Sequence, residues 1–170
     1  MSNTYILCLC IHFLYGYIFS PPPRHFGGID ILVNNAGYCY CASVEESEGE
    51  EVMKMFQINL FGLISMTKAV LPLMRKKRSG MIINIASAAA MKASPASAFY
   101  ASSKAAVELL SDGLRKEVEP LGIRVMVVEP GGFRTNFFGS SLKGAQMRIE
   151  DYKDTAWKQY PENAASLSSP

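Results

Sequence analysis

Tyr100-Ala-Ser-Ser-Lys104 opens a segment, about 98–118, whose composition predicts a helix broken by Pro120 and Gly122. Residues four apart share one helical face, so Tyr100 and Lys104 are neighbours there. A phenol is a poor acid–base group near neutrality, because its ordinary pKa is about 10. A neighbouring ammonium favours the phenolate and is expected to pull that value down. Such a Tyr could exchange a proton with an alcohol or a carbonyl oxygen. The pair alone is weak evidence, since Tyr/Lys pairs at this spacing are common on helix surfaces.

The surrounding segments give the pair its meaning. Upstream, Met81-Ile-Ile-Asn-Ile-Ala-Ser87 is an apolar run ending in Ser87. A shorter run, Ile29 to Asn34, ends in Asn34-Asn-Ala-Gly37, and Asn59-Leu-Phe-Gly62 lies inside a long amphipathic segment, about 50–76. Downstream, Ile123 to Glu129 leads into Pro130-Gly131. Short continuous apolar runs alternating with amphipathic segments predict parallel strands and helices, with the sheet covered on both faces. In such sheets ligands gather outside the carboxyl ends of the strands, where Asn34–Gly37, Ser87 and Pro130-Gly131 would all sit.

The order and spacing of these five motifs resemble the short-chain dehydrogenase/reductase family, over roughly Phe26 to Leu142. The resemblance implies an α/β fold: a partial Rossmann-like, doubly wound parallel sheet, truncated at both ends. It implies a nicotinamide-dependent oxidoreductase acting on a secondary alcohol or ketone. In that reading Tyr100 is the general acid–base, Lys104 lowers its pKa and meets the nicotinamide ribose, Ser87 holds the substrate oxygen, and Asn59 holds a relay water. Asn34, Ala36 and Gly37 would lie along the adenosine side, Pro130 and Gly131 near the nicotinamide, and Thr135 by its carboxamide or phosphate. The cofactor is NAD or NADP, undistinguished, because the segment that separates them has no counterpart here. The family's glycine-rich pyrophosphate turn also has none, so poor cofactor binding by the 170-residue chain is expected. The alternative is a catalytically silent fragment acting as an interaction module through its two long helices, which in the family commonly form a dimer interface.

Each residue has a plainer reading as well. Ser87 could cap a turn. Asn59 could be one more polar residue on a helix, and Gly131-Gly132 could simply make a turn. Phe133, Phe137 and Phe138 suggest an apolar substrate wall or equally a core.

Outside 26–142, residues 1–25 form an apolar leader ending near Pro21-Pro22-Pro23. Three readings stay open for it: an unrelated segment, a makeshift strand, or a membrane or targeting role through residues 5–19. The stretch 5–19 is short for a membrane span, which needs about 20 apolar residues. Residues 143–170 are polar and expected to be mobile.

The chain is 49% hydrophobic, enough for a core, and its formal net charge of +2 argues against a nucleic-acid partner. The basic cluster Arg75-Lys-Lys-Arg78 fits a helix C-terminus instead. Cys8/Cys10 and Cys39/Cys41 are spaced more tightly than paired zinc ligands usually are, so buried thiols are expected, no metal, and a cytoplasmic setting.

Overall fold

A computed structural model of the chain describes residues 6–9, 29–131, 142–146 and 148–158. Four parallel strands form the main sheet: β1 (Ile6–Leu9), β2 (Ile31–Asn34), β4 (Gly80–Ile85) and β5 (Ile123–Val128), in the order β1-β2-β4-β5. The three expected strands are present and parallel. Residues 6–9 of the leader take the strand reading, with Ile6 opposite Ile31 and Leu9 opposite Asn34. The rest of the 5–19 stretch lies outside the described residues.

Two helices connect the strands. The first, α1, runs through Gly49–Phe56, a π-helical turn Gln57–Gly62, and Leu63–Lys77. Glu50 and Glu51 sit in its first turn and Arg75, Lys76 and Lys77 in its last, as the macrodipole favours. Lys77 pairs with Asp30, and Arg78 donates to the Pro120 carbonyl at 3.1 Å. By length and composition α1 could cross a membrane, but its Leu63, Val70 and Met74 are buried in this domain. The second helix, α2, spans Ala98–Val118. Gly122 ends the turn after it with φ +75°, where a side chain would run into the Arg78 carbonyl.

Both helices cover one face of the sheet. Leu32, Ile82 and Ile123 pack there with Val70, Met74 and Val118. Ala86 packs with Leu63, Val107 and the half-buried Val127. The strands step across the sheet in chain order, and right-handed crossovers that all step one way place their helices on one side. The α/β, Rossmann-like parallel sheet is as expected; among the described residues helices cover one of its faces, because the strand order does not reverse there. On the other face of β5, Met126 is 47% exposed and Val128 37%.

The expected mobile tail is docked over its described part. Leu142–Gly144 form β6, parallel to β3 (Cys39–Cys41), in a small second sheet. A short 3-10 turn at Glu150–Tyr152 follows, and residues 148–157 lean on the loop before α1. The reason is charge and hydrogen bonding over a long range: the acidic 45–51 run faces Lys143 and Arg148.

Candidate active site

β4 ends at Ile85 and its chain continues to Ser87, while β5 ends at Val128 and continues to Pro130. The Ala86 amide donates to the Val128 carbonyl at 2.8 Å and the Ala88 amide to the Pro130 carbonyl at 3.2 Å. This pairing brings Ser87 and Pro130 to one place on the rim. The Ser87 hydroxyl caps the short turn Ala88–Ala90 by accepting from the Ala89 amide at 3.2 Å. It also lies near enough to the Tyr100 phenol to pull that phenol's pKa down. The capping reading of Ser87 therefore holds, and the capped hydroxyl stands beside Tyr100.

Tyr100 stands in the first turn of α2, buried to 8% exposure. Lys104, one turn on, has its Nζ 5.9 Å from the centroid of the Tyr100 ring. That ammonium donates to the Ile85 carbonyl at 2.8 Å and is 4% exposed. Burial lowers its pKa from 10.5 to about 8. Tyr100, however, moves opposite to the sequence expectation. Burial pushes its phenol up, the Ser87 hydroxyl pulls it back only in part, and nearby Cys39 and Cys41 push it further up. The ammonium, bound to the Ile85 carbonyl, does not reverse this, because desolvation of a phenolate is the larger effect here.

Asn59 lies in the π-helical turn of α1 and is 1% exposed. Such turns recur where a helix presents a functional residue. Its Oδ1 accepts from the Tyr38 amide at 3.0 Å, and its Nδ2 donates to the Tyr38 carbonyl at 3.0 Å and to Ser103 Oγ at 3.1 Å. The side chain thus grips the backbone just after Gly37, and the water-holding role expected of Asn59 is not carried by its amide protons. Ser103 in turn donates to the Tyr100 carbonyl at 2.7 Å, tying Asn59 to the Tyr100 turn.

Gly37 is close to this group. A Cβ there would stand 3.2 Å from Asn59 Oδ1 and 3.3 Å from Lys104 Nζ. Ala36 is half-buried against the main core, and Gly131 borders open space. Asn34 is a correction. Its side chain faces the core, donating to Asn84 Oδ1 at 2.8 Å and Thr67 Oγ1 at 3.4 Å, while its own Oδ1 lacks a partner among the described residues. The parallel register sets Asn34 opposite Asn84, on the helix-covered face, so its side chain cannot reach a ligand at the rim. Thr135, Phe133, Phe137 and Phe138 lie outside the described residues.

Sequence reasoning missed several neighbours. Tyr38, Cys39, Cys41 and Tyr100 form one cluster with half-buried Ala89, Phe99, Leu142 and Trp157 packed against it. Cys39 and Cys41 are buried, with their sulfurs 3.4 Å apart. The position of Tyr38 directly after Gly37 was the available signal; nothing local pointed to Trp157.

The family model for "short chain dehydrogenase" matches residues 21–146. A 3-ketodihydrosphingosine reductase of Bacteroides thetaiotaomicron is 44% identical over 130 residues, 76% of this chain and 48% of that protein. A short-chain dehydrogenase from Streptomyces avermitilis superposes with a TM-score of 0.74 at 35% identity, covering 85% of this chain and 55% of the other. An NAD+-bound xylitol dehydrogenase superposes with a TM-score of 0.61 at 37% identity, covering 64% of this chain and 42% of that one. The chain spans about half the length of the curated relatives it matches.

Proposed function

Because the chain belongs to the short-chain dehydrogenase family, whose oxidoreductase chemistry its relatives' names carry, we propose that it reduces a ketone, or oxidises the matching secondary alcohol, with NAD or NADP. One observation carries this reading: Tyr100 and the buried Lys104 ammonium, 5.9 Å from its ring, converge with Ser87 at the carboxyl rim of the sheet.

The described residues fit one half of such a cofactor. The Lys104 ammonium meets a single carbonyl and no carboxylate among the described residues, leaving N–H donors for ribose hydroxyls. Gly37 lies beside it with little room for a side chain, and Gly131 borders open space. The described residues supply no glycine-rich cradle for a pyrophosphate. When bound, the nicotinamide supplies or accepts the hydride. Ser87 orients the substrate oxygen beside Tyr100, which gives or takes the proton at that oxygen. The raised phenol pKa keeps Tyr100 protonated at neutral pH, the form a ketone reduction requires. The cluster of Tyr38, Phe99, Leu142 and Trp157 favours an apolar substituent on the ketone.

The test is a panel of aliphatic and aromatic ketones with NADH and NADPH, followed by loss of reduced-nicotinamide absorbance. Tyr100→Phe should lower turnover by at least about 10²-fold, the scale of a general acid. Near-normal turnover in Tyr100→Phe would remove Tyr100 from the proton-transfer role.

A further inference from the structure

Glu46 sits in the loop between β3 and α1 and is 4% exposed, although nothing in the proposed chemistry uses it. Its carboxylate collects four donors. Ser43 Oγ and the Trp157 indole donate to Oε2 at 2.6 and 2.9 Å, and the Arg148 and Ile149 amides donate to Oε1 at 2.6 and 2.8 Å. The Glu46 carbonyl also accepts from Arg148 Nη2 at 3.2 Å. Three of the four donors to the carboxylate come from residues 148–157, more than a hundred positions away in sequence. Beside them, Tyr152 donates to Glu45 Oε2 at 2.6 Å, exposed to solvent.

The held segment matters because of what it covers. Trp157 and Leu142 pack against the cluster that contains Tyr100 and Tyr38. The three-residue β6 and these polar contacts attach residues 142–146 and 148–158 to the domain. A carboxylate accepting two backbone amides and an indole is a stronger tie than a surface ion pair.

We propose that Glu46 is a positioning residue for the active site: its carboxylate anchors residues 148–157, and through Trp157 holds the wall packed against the cluster that contains Tyr100. The catalytic role of the site rests on the proposed oxidoreductase reading; the anchoring does not.

The experiment uses the whole chain and the variants Glu46→Ala and Trp157→Phe. Trp157 is the single tryptophan, so its emission reports the anchor directly. Three readouts are taken: Trp157 emission in Glu46→Ala, tryptic cleavage after Arg148 and Lys153, and site-resolved iodoacetamide labelling of Cys39 and Cys41, which lie on the strand paired with β6. Losing a hydrogen bond to a charged group shifts an opening equilibrium by about tenfold or more. Glu46→Ala should therefore red-shift the emission and speed cleavage and labelling by at least that factor, while amides of β2 and β4 stay protected. Trp157→Phe, which keeps most of the bulk and loses the N–H, should speed labelling in the same direction. With 2-octanone as an apolar ketone probe and NADPH, Glu46→Ala should raise KM severalfold and leave kcat nearly unchanged. Unchanged emission, cleavage and labelling in Glu46→Ala overturn the anchor, as does loss of protection throughout the sheet; a fall in kcat at constant KM overturns the positioning role. If the unmodified chain turns over no ketone but the three readouts respond, the anchor stands and it is the catalytic reading that fails.

Discussion

Replacing Lys104 by Met should make this protein more stable at neutral pH, though it removes a residue of the proposed site. Lys104 is 4% exposed, and its pKa falls from 10.5 to about 8 through burial alone. That displacement corresponds to about 3 kcal/mol of cost for keeping the ammonium charged at pH 7. Between about pH 8 and pH 10.5 the unfolded chain binds the proton and the folded chain does not. Stability contributed by this group therefore rises with pH across that window and is at its lowest below pH 8. Met has similar length and no charge, so it escapes the cost. It also leaves the Ile85 carbonyl without the 2.8 Å donor, which gives back about 1 kcal/mol. The net gain at pH 7 is about 2 kcal/mol. For a chain of this size it should appear as a rise of about 4–8 °C in Tm. The assay is thermal and urea unfolding of both proteins, followed by circular dichroism at pH 7 and pH 10. The gap should be present at pH 7 and mostly gone at pH 10. A Lys104→Met protein that is less stable at pH 7, or whose advantage is the same at both pH values, would refute the reasoning. A confirmed gain would mark Lys104 as a group retained for function at the expense of stability.

Three further outcomes follow from the same structure. Burial pushes the Glu46 carboxyl up, but hydrogen bonds from Ser43, the Arg148 and Ile149 amides and Trp157 outweigh it and hold the pKa down from 4.5 to about 2. About 3 kcal/mol of stability is then present above pH 4.5 and lost as pH falls through about 2, so an acid titration should show the advantage over Glu46→Gln shrinking across that window. Gly37→Ala forces a Cβ to within 3.2 Å of Asn59 Oδ1 and 3.3 Å of Lys104 Nζ, and should cost about 1–3 kcal/mol in urea unfolding. Gly131→Ala, which meets open space, should stay within about 0.5 kcal/mol; similar effects at the two positions would contradict the site geometry. On β5, Ile123→Ala on the covered face should cost about 2–4 kcal/mol and Met126→Ala on the other face less than about 1 kcal/mol, with equal losses counting against a single helical layer.

Much of this architecture is written locally. The runs at 31–34, 80–85 and 123–128 and the helices at 49–77 and 98–118 follow from apolar continuity, from spacing, and from Ser79-Gly80, Pro120 and Gly122 as stops. The four-residue step from Tyr100 to Lys104 sets them on one helical face, and the carboxyl ends of β4 and β5 bring Ser87 and Pro130 to the same rim. These are short-range consequences of backbone geometry, and a sequence carries them within a few residues. Other features depend on which surfaces meet. The opposition of Asn34 and Asn84 arises from strand register, and it turns Asn34 from a rim residue into a core one. The upward displacement of the Tyr100 phenol arises from exclusion of water by neighbours distant in sequence, an effect the adjacent Lys104 could not announce. Glu46 is one acid among several in the 45–51 run, and locally they all suit the start of a helix. Only folding brings Arg148, Ile149 and Trp157 to one of them, because hydrogen-bond partners a hundred residues apart are chosen by the packing of the whole domain and not by the chain near either end.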